Sequence, residues 1–158
     1  MLKSLSSKLL LTLACLAPGM AVAQTAADNF FTECPAFSGQ ELSTLRWEPI
    51  RAPGMLFCRA MREDGSEAFA LTFSRESPFD PRRSNRAEVG ELNGEKVQWY
   101  RGTIVTDRDA LVREALIDFG DRHVLHISMR ADDDQMLERQ QRAVLALPLP
   151  REKFTRGR

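Results

Sequence analysis

MLFCRAMREDGSEAFALTFS, residues 55–74, is the stretch that decides the fold. Glu63-Asp64-Gly65-Ser66 separates two apolar arms, and Asp-Gly is a strong hairpin signal because a primed turn needs positive φ at its centre. In the second arm Phe69, Leu71 and Phe73 alternate with Ala68, Ala70 and Thr72. That period of two sets three large side chains on one buried face of a strand. Two paired strands, over 55–62 and 67–74, follow.

The same punctuation recurs downstream. Asn93-Gly94 divides 87–92 from 95–105 and reads as a type I′ hairpin. Residues 106–109 turn the chain into a strand over 111–119, and Gly120-Asp121 turns it again into 122–130. On that last strand His123, Leu125, Ile127 and Met129 share one face, and Val124, His126, Ser128 and Arg130 share the other. Turns this short cannot make parallel crossovers, so the sheet is expected to be antiparallel.

Helices are expected at both ends of the strand region. Asp132 is the expected N-cap of a closing helix that runs to Leu145, with Asp133 and Asp134 matching its positive N-terminus. Met136, Leu137, Val144, Leu145 and Leu147 supply its apolar stripe, and Pro148 and Pro150 stop it. Upstream, residues 24–46 read as a helical opening. Thr25 or Asp28 caps 26–32, Pro35 interrupts, and Ser38 with Glu41 makes a capping box. The fold class is α+β: one domain, an antiparallel meander sheet packed by an N-terminal helical segment and a C-terminal amphipathic helix.

Residues 1–23 read as an export leader. Lys3 and Lys8 precede a short apolar run over 9–17, Pro18-Gly19 breaks it, and Ala21-Val22-Ala23 offers the small-x-small cleavage pattern. The run is shorter than the roughly 20 residues a membrane span needs. The expected organisation is a signal peptide at 1–23, a single domain at 24–150 and a polar tail at 151–158, with a periplasmic or secreted location. Lipid anchoring at Cys15 is the rival reading, and Thr12 stands where a lipoprotein signal prefers a large aliphatic residue.

With Cys15 removed, Cys34 and Cys58 remain, an even number suited to an oxidising compartment. A disulfide between them is expected, tying the N-terminal segment to an early strand and contributing roughly 3 kcal/mol on the loop-entropy account. Two buried free thiols are the alternative.

The 158-residue chain balances 22 basic against 22 acidic side chains, which gives no electrostatic footprint for nucleic acid. Catalytic signatures are missing as well. The two histidines, His123 and His126, fall on opposite faces of a strand and cannot chelate one metal together. Asp132-Asp133-Asp134 lacks the alternating ligands and distal Glu of a calcium loop. No nucleophile elbow, zinc-helix pair or glycine-rich phosphate loop occurs. The expectation is no enzyme, no metal and no cofactor.

Binding chemistry is better represented. Trp99-Tyr100-Arg101 joins three residue types enriched at interface hot spots, with Tyr100 facing away from the other two. Arg82, Arg83 and Arg86 lie in an irregular loop over 75–86 and suit carboxylate or phosphate partners. Those three arginines, Tyr100 and His126 are the candidate partner-binding residues.

From residue 87 to 149 the layout resembles the PsbP-like α/β/α sandwich family. Leu92-Asn93-Gly94-Glu95, Trp99-Tyr100-Arg101-Gly102, His126-Ile127-Ser128-Met129-Arg130 and the closing Leu145-Ala146-Leu147 carry the likeness. The resemblance implies an antiparallel meander ending in a strand and a sheet-packed C-terminal helix. It also implies a mostly non-enzymatic protein of a thylakoid lumen or bacterial envelope, or a secretion-linked partner, and it carries over no functional residue. Together these readings lead to an exported protein that binds another protein, of toxin-immunity, inhibitor or envelope-accessory type. A carrier for a small ligand or lipid between sheet and helix is the alternative, and an envelope hydrolase the third reading.

Overall fold

The computed structural model describes residues 32–39, 42–103, 109–120 and 122–149. The expected leader, Cys15, the opening helix up to residue 31, Glu41 of the capping box, the turn over 106–108, Asp121 and the polar tail lie outside these residues.

Seven strands form one antiparallel sheet: β1 (Arg46–Ala52), β2 (Met55–Met61), β3 (Glu67–Ser74), β4 (Arg86–Leu92), β5 (Glu95–Arg101), β6 (Leu111–Gly120) and β7 (His123–Ala131). A single helix, α1 (Asp134–Leu145), follows. The strand order is β1-β2-β3-β7-β6-β5-β4. Instead of one meander there are two, β1 to β3 and β4 to β7, joined where β3 pairs with β7. The stretch over 75–85 carries the chain from the middle of the sheet to its far edge.

Local chemistry accounts for the hairpins. Asn93 and Gly94 both have positive φ (53° and 89°), the pair of values a type I′ turn demands. Between β2 and β3, Arg62 N donates to Ser66 O at 2.8 Å, and Asp64 Oδ1 accepts from Ser66 N at 2.8 Å. The sequence reading missed β1. Pro49 interrupts its run, yet β1 lies at the sheet edge, where a missing N–H is tolerated.

The opening helix is corrected for its described part: residues 32–39 and 42–46 form no α-helix, only a tight turn in which Leu45 N donates to Leu42 O. Long-range contacts outcompete helix there. Cys34 is bonded to Cys58, Trp47 Nε1 donates to Pro35 O at 2.6 Å, and Arg51 Nη2 donates to Thr32 O at 3.0 Å. The expected disulfide is therefore present, fixing this segment along β1 and β2.

The helix cap moves by one residue. Asp133, not Asp132, is the N-cap, and its Oδ1 accepts from Met136 N at 2.7 Å. Leu137, Gln140, Ala143 and Val144 form the buried stripe of α1, which packs against β7, β3 and β4. Gln140 Nε2 donates to Arg130 O at 2.9 Å, and Asn93 Nδ2 donates to Leu149 O, pinning the chain beyond the helix to the β4–β5 turn.

Strand register sorts the side chains into two faces. Leu56, Cys58, Phe69, Leu71, Phe73, Leu125, Ile127, Ala115, Val97 and Trp99 share the face under α1, and all are buried. Gly90 also lies there: a Cβ at this position would stand 2.9 Å from Leu145 Cδ1 and 3.2 Å from Trp99 Nε1. Its lack of a side chain allows helix and edge strand to approach. At the rim of this face Arg113, itself buried, makes a two-pronged ion pair with Glu88 at 2.7 and 2.8 Å. The guanidinium hydrogen bonds hold the Glu88 carboxyl down at about 2.

Candidate functional site

The opposite face is made by the alternate residues of the same strands. Phe57, Thr72, His126 and Leu116 form one row across it, and Arg59, Ala70, Ser128, Glu114 and Tyr100 form the next. No described helix covers this face. All three exposed large apolar side chains among the described residues, Ile50 (46%), Met55 (38%) and Val89 (61%), project from it.

Tyr100 and His126 stand two strands apart, on β5 and β7, with Glu114 of β6 between them. Glu114 Oε1 lies 3.2 Å from His126 Nε2. Phe79, from the segment crossing to β4, closes the cluster from above. Its ring stacks on His126 (centroids 5.4 Å, interplanar angle 23°) and meets Tyr100 edge-on (5.6 Å, 64°). Such aromatic pairs each contribute about 0.5–1.5 kcal/mol beyond simple burial. Ser77 holds the backbone beneath Phe79, its Oγ donating to Phe79 O and accepting from Phe79 N.

The candidate arginines lie next to this cluster. Arg82 is exposed, and its Nε is 4.0 Å from Asp80 Oδ2 in a pair open to solvent. Exposed pairs of this kind contribute little. Arg83 opens a short 3-10 turn, Arg83–Asn85, and Arg86 begins β4 opposite Tyr100. Arg101 Nη1 donates to the Arg86 carbonyl at 2.9 Å, bringing a further cation to the same edge.

The structure thus brings together Tyr100, His126 and the arginine loop. Trp99 lies at 1% exposure within the core, on the side alternation assigns to it. His123 points to the helix side and His126 to the open side. Among the described residues no three of His, Cys, Asp and Glu are grouped to hold a metal ion, and no helix is long and apolar enough to cross a membrane. Sequence reasoning missed Phe79 and Glu114. The signal for Phe79 was an aromatic side chain between Pro78 and Pro81 in a polar loop, where solvent alone gives it no place. Glu114 carried none, because its partner His126 is reached only through strand pairing.

The arrangement suits recognition by aromatic side chains with a cationic edge, whereas the His126 imidazole, bonded to Glu114, is buried beneath Phe79 and is not itself presented. Compared with known proteins, the chain matches no family model, no curated protein and no solved structure.

Proposed function

We propose that this is an exported, non-enzymatic protein that binds another folded protein through the sheet face opposite α1. The observation that carries the reading is that every exposed large apolar side chain among the described residues lies on that face. Ile50 and Met55 lie at the β1–β2 edge and Val89 at the β4 edge, on either side of the Phe79–Tyr100 cluster, and apolar and aromatic groups spread beside charge along one face suit a broad docking surface. Tyr100 and Phe79 supply aromatic anchors, and Arg82, Arg83 and Arg86 call for a partner that is acidic at the matching edge. The disulfide supports an oxidising compartment, and with it the reading of residues 1–23 as an export signal. The resemblance of residues 87–149 to the mostly non-enzymatic PsbP-like family leans the same way.

Affinity capture from envelope extract tests it, with three baits compared: the unmodified protein, Arg82→Glu/Arg83→Glu, and Glu138→Lys on the solvent side of α1. A stoichiometric partner retained by the first and third and lost by the second is expected. No stoichiometric partner, or one lost only on changing the helix, defeats the reading.

A further inference from the structure

On the helix side of the sheet, away from the docking face, a groove of about 500 Å³ opens between α1 and the β2–β3 turn. Its size falls within the usual range for small-molecule sites. Leu45, Phe69, Met136 and Ala143 give it an apolar lining continuous with the core. Outside the hydrogen bonds of the turn, the polar side chains of its wall are Thr44, Glu63, Arg139 and Gln140, and the last two are neighbours on α1. Gln140 is 96% buried: its Nε2 is committed to Arg130 O, while its Oε1 finds no hydrogen-bond partner among the described residues. Arg139, the preceding helical residue, is exposed, and no ion pair holds it among the described residues. By contrast Arg62 and Asp64, at the mouth, are both occupied in the turn, Arg62 with Ser66 Oγ and Glu67 O and Asp64 with Ser66.

A buried acceptor left unsatisfied is costly, and a ligand that supplies a donor relieves that cost. We propose that this groove binds a small amphiphilic carboxylic acid whose apolar chain bears an O–H or N–H donor close to the carboxylate. The carboxylate meets Arg139, the donor meets Gln140 Oε1, and the chain lies along Phe69 and Met136. Because Arg139 and Gln140 are consecutive, the ligand's two polar groups are separated by only a few bonds. Gln140 Oε1 is sealed from water, so a lining side chain must give way for a ligand to reach it. Met136, half-buried and unbranched, is the one suited to do so.

Titration followed by amide NMR shifts tests this, with 3-hydroxydecanoate, N-octanoylglycine and plain decanoate as probes. Saturable shifts at Phe69, Met136 and Gln140 are expected with the first two probes. Decanoate, lacking the donor, should bind about fivefold more weakly. Arg139→Gln should weaken both donor-bearing acids by about tenfold. Gln140→Leu should abolish the preference over decanoate, with thermal unfolding showing that the variant still folds. If the hydroxy acid binds and the amide acid does not, the donor is a hydroxyl; the reverse result assigns an amide. Absence of saturable shifts with every probe at millimolar concentration overturns the site. So do shifts confined to the docking face, and affinities unchanged in Arg139→Gln.

Discussion

Trp99 and Tyr100 are neighbours in sequence and belong to opposite worlds. Trp99 lies in the covered face, where side chains from six strands and α1 interdigitate and the ion pair of Arg113 with Glu88 at the rim is bidentate. Tyr100 lies on the opposite face, where Phe79 covers the Tyr100–His126 cluster and Arg59 is shared between Glu67 at 2.7 Å and Glu48 at 3.5 Å through separate nitrogens. The same strands build both. What differs, among the described residues, is that a helix completes the packing of one face only, and that separates a face specialised for stability from one suited to contact.

Substitution at these neighbours gives the largest expected contrast. Trp99→Ala should cost about 3–5 kcal/mol, read as a lower urea midpoint with an unchanged slope. Tyr100→Ala should cost about 1 kcal/mol, the worth of one aromatic contact. Equal losses would break the distinction between the faces.

Acid titration sharpens it further. The Glu88 carboxyl is held at about 2, below its ordinary 4.5, so the pair's contribution is complete above pH 4.5 and lost as pH falls towards 2. Solvent screening at this half-exposed carboxylate reduces that contribution to about 1–2 kcal/mol. Glu88→Gln should flatten the stability curve between these pH values, and an unchanged slope there would remove the ion pair from the covered face's account.

Phe79→Ala should cost about 1 kcal/mol and expose His126. Its near-UV circular dichroism should keep the signal of buried Trp99, and loss of that signal would show that the loop supports the core. The smallest effect belongs to Arg82→Glu/Arg83→Glu, within about 0.5 kcal/mol of the parent by thermal unfolding. A larger loss would mean these arginines hold the fold and are not reserved for a partner.

What the sequence made legible was local. Three hairpins, the closing helix and the opposite orientations of Trp99 and Tyr100 follow from turn residues and alternation within a few positions. The cysteine pairing followed from counting. The β3–β7 join was invisible, because nothing near Leu71 announces Ile127 as its neighbour. Strand β1 was hidden by Pro49 and by the charged Arg46, Glu48 and Arg51 in its seven residues. In the site, alternation put Tyr100 and His126 on their proper sides, but Glu114 and Phe79 complete the cluster through pairing and loop path, which no window of sequence contains.

The β3–β7 seam also governs how quickly the molecule can assemble. The disulfide and the first three strands can form from one continuous segment, as can the last four. Yet Leu71 can meet Ile127 only after the whole stretch between them has been synthesised. Closing so long a loop is slow, and until it closes each half presents a bare strand edge to other chains. Aggregation during refolding should therefore depend on how soon that seam seals, and the Cys34–Cys58 bond lies wholly on one side of it.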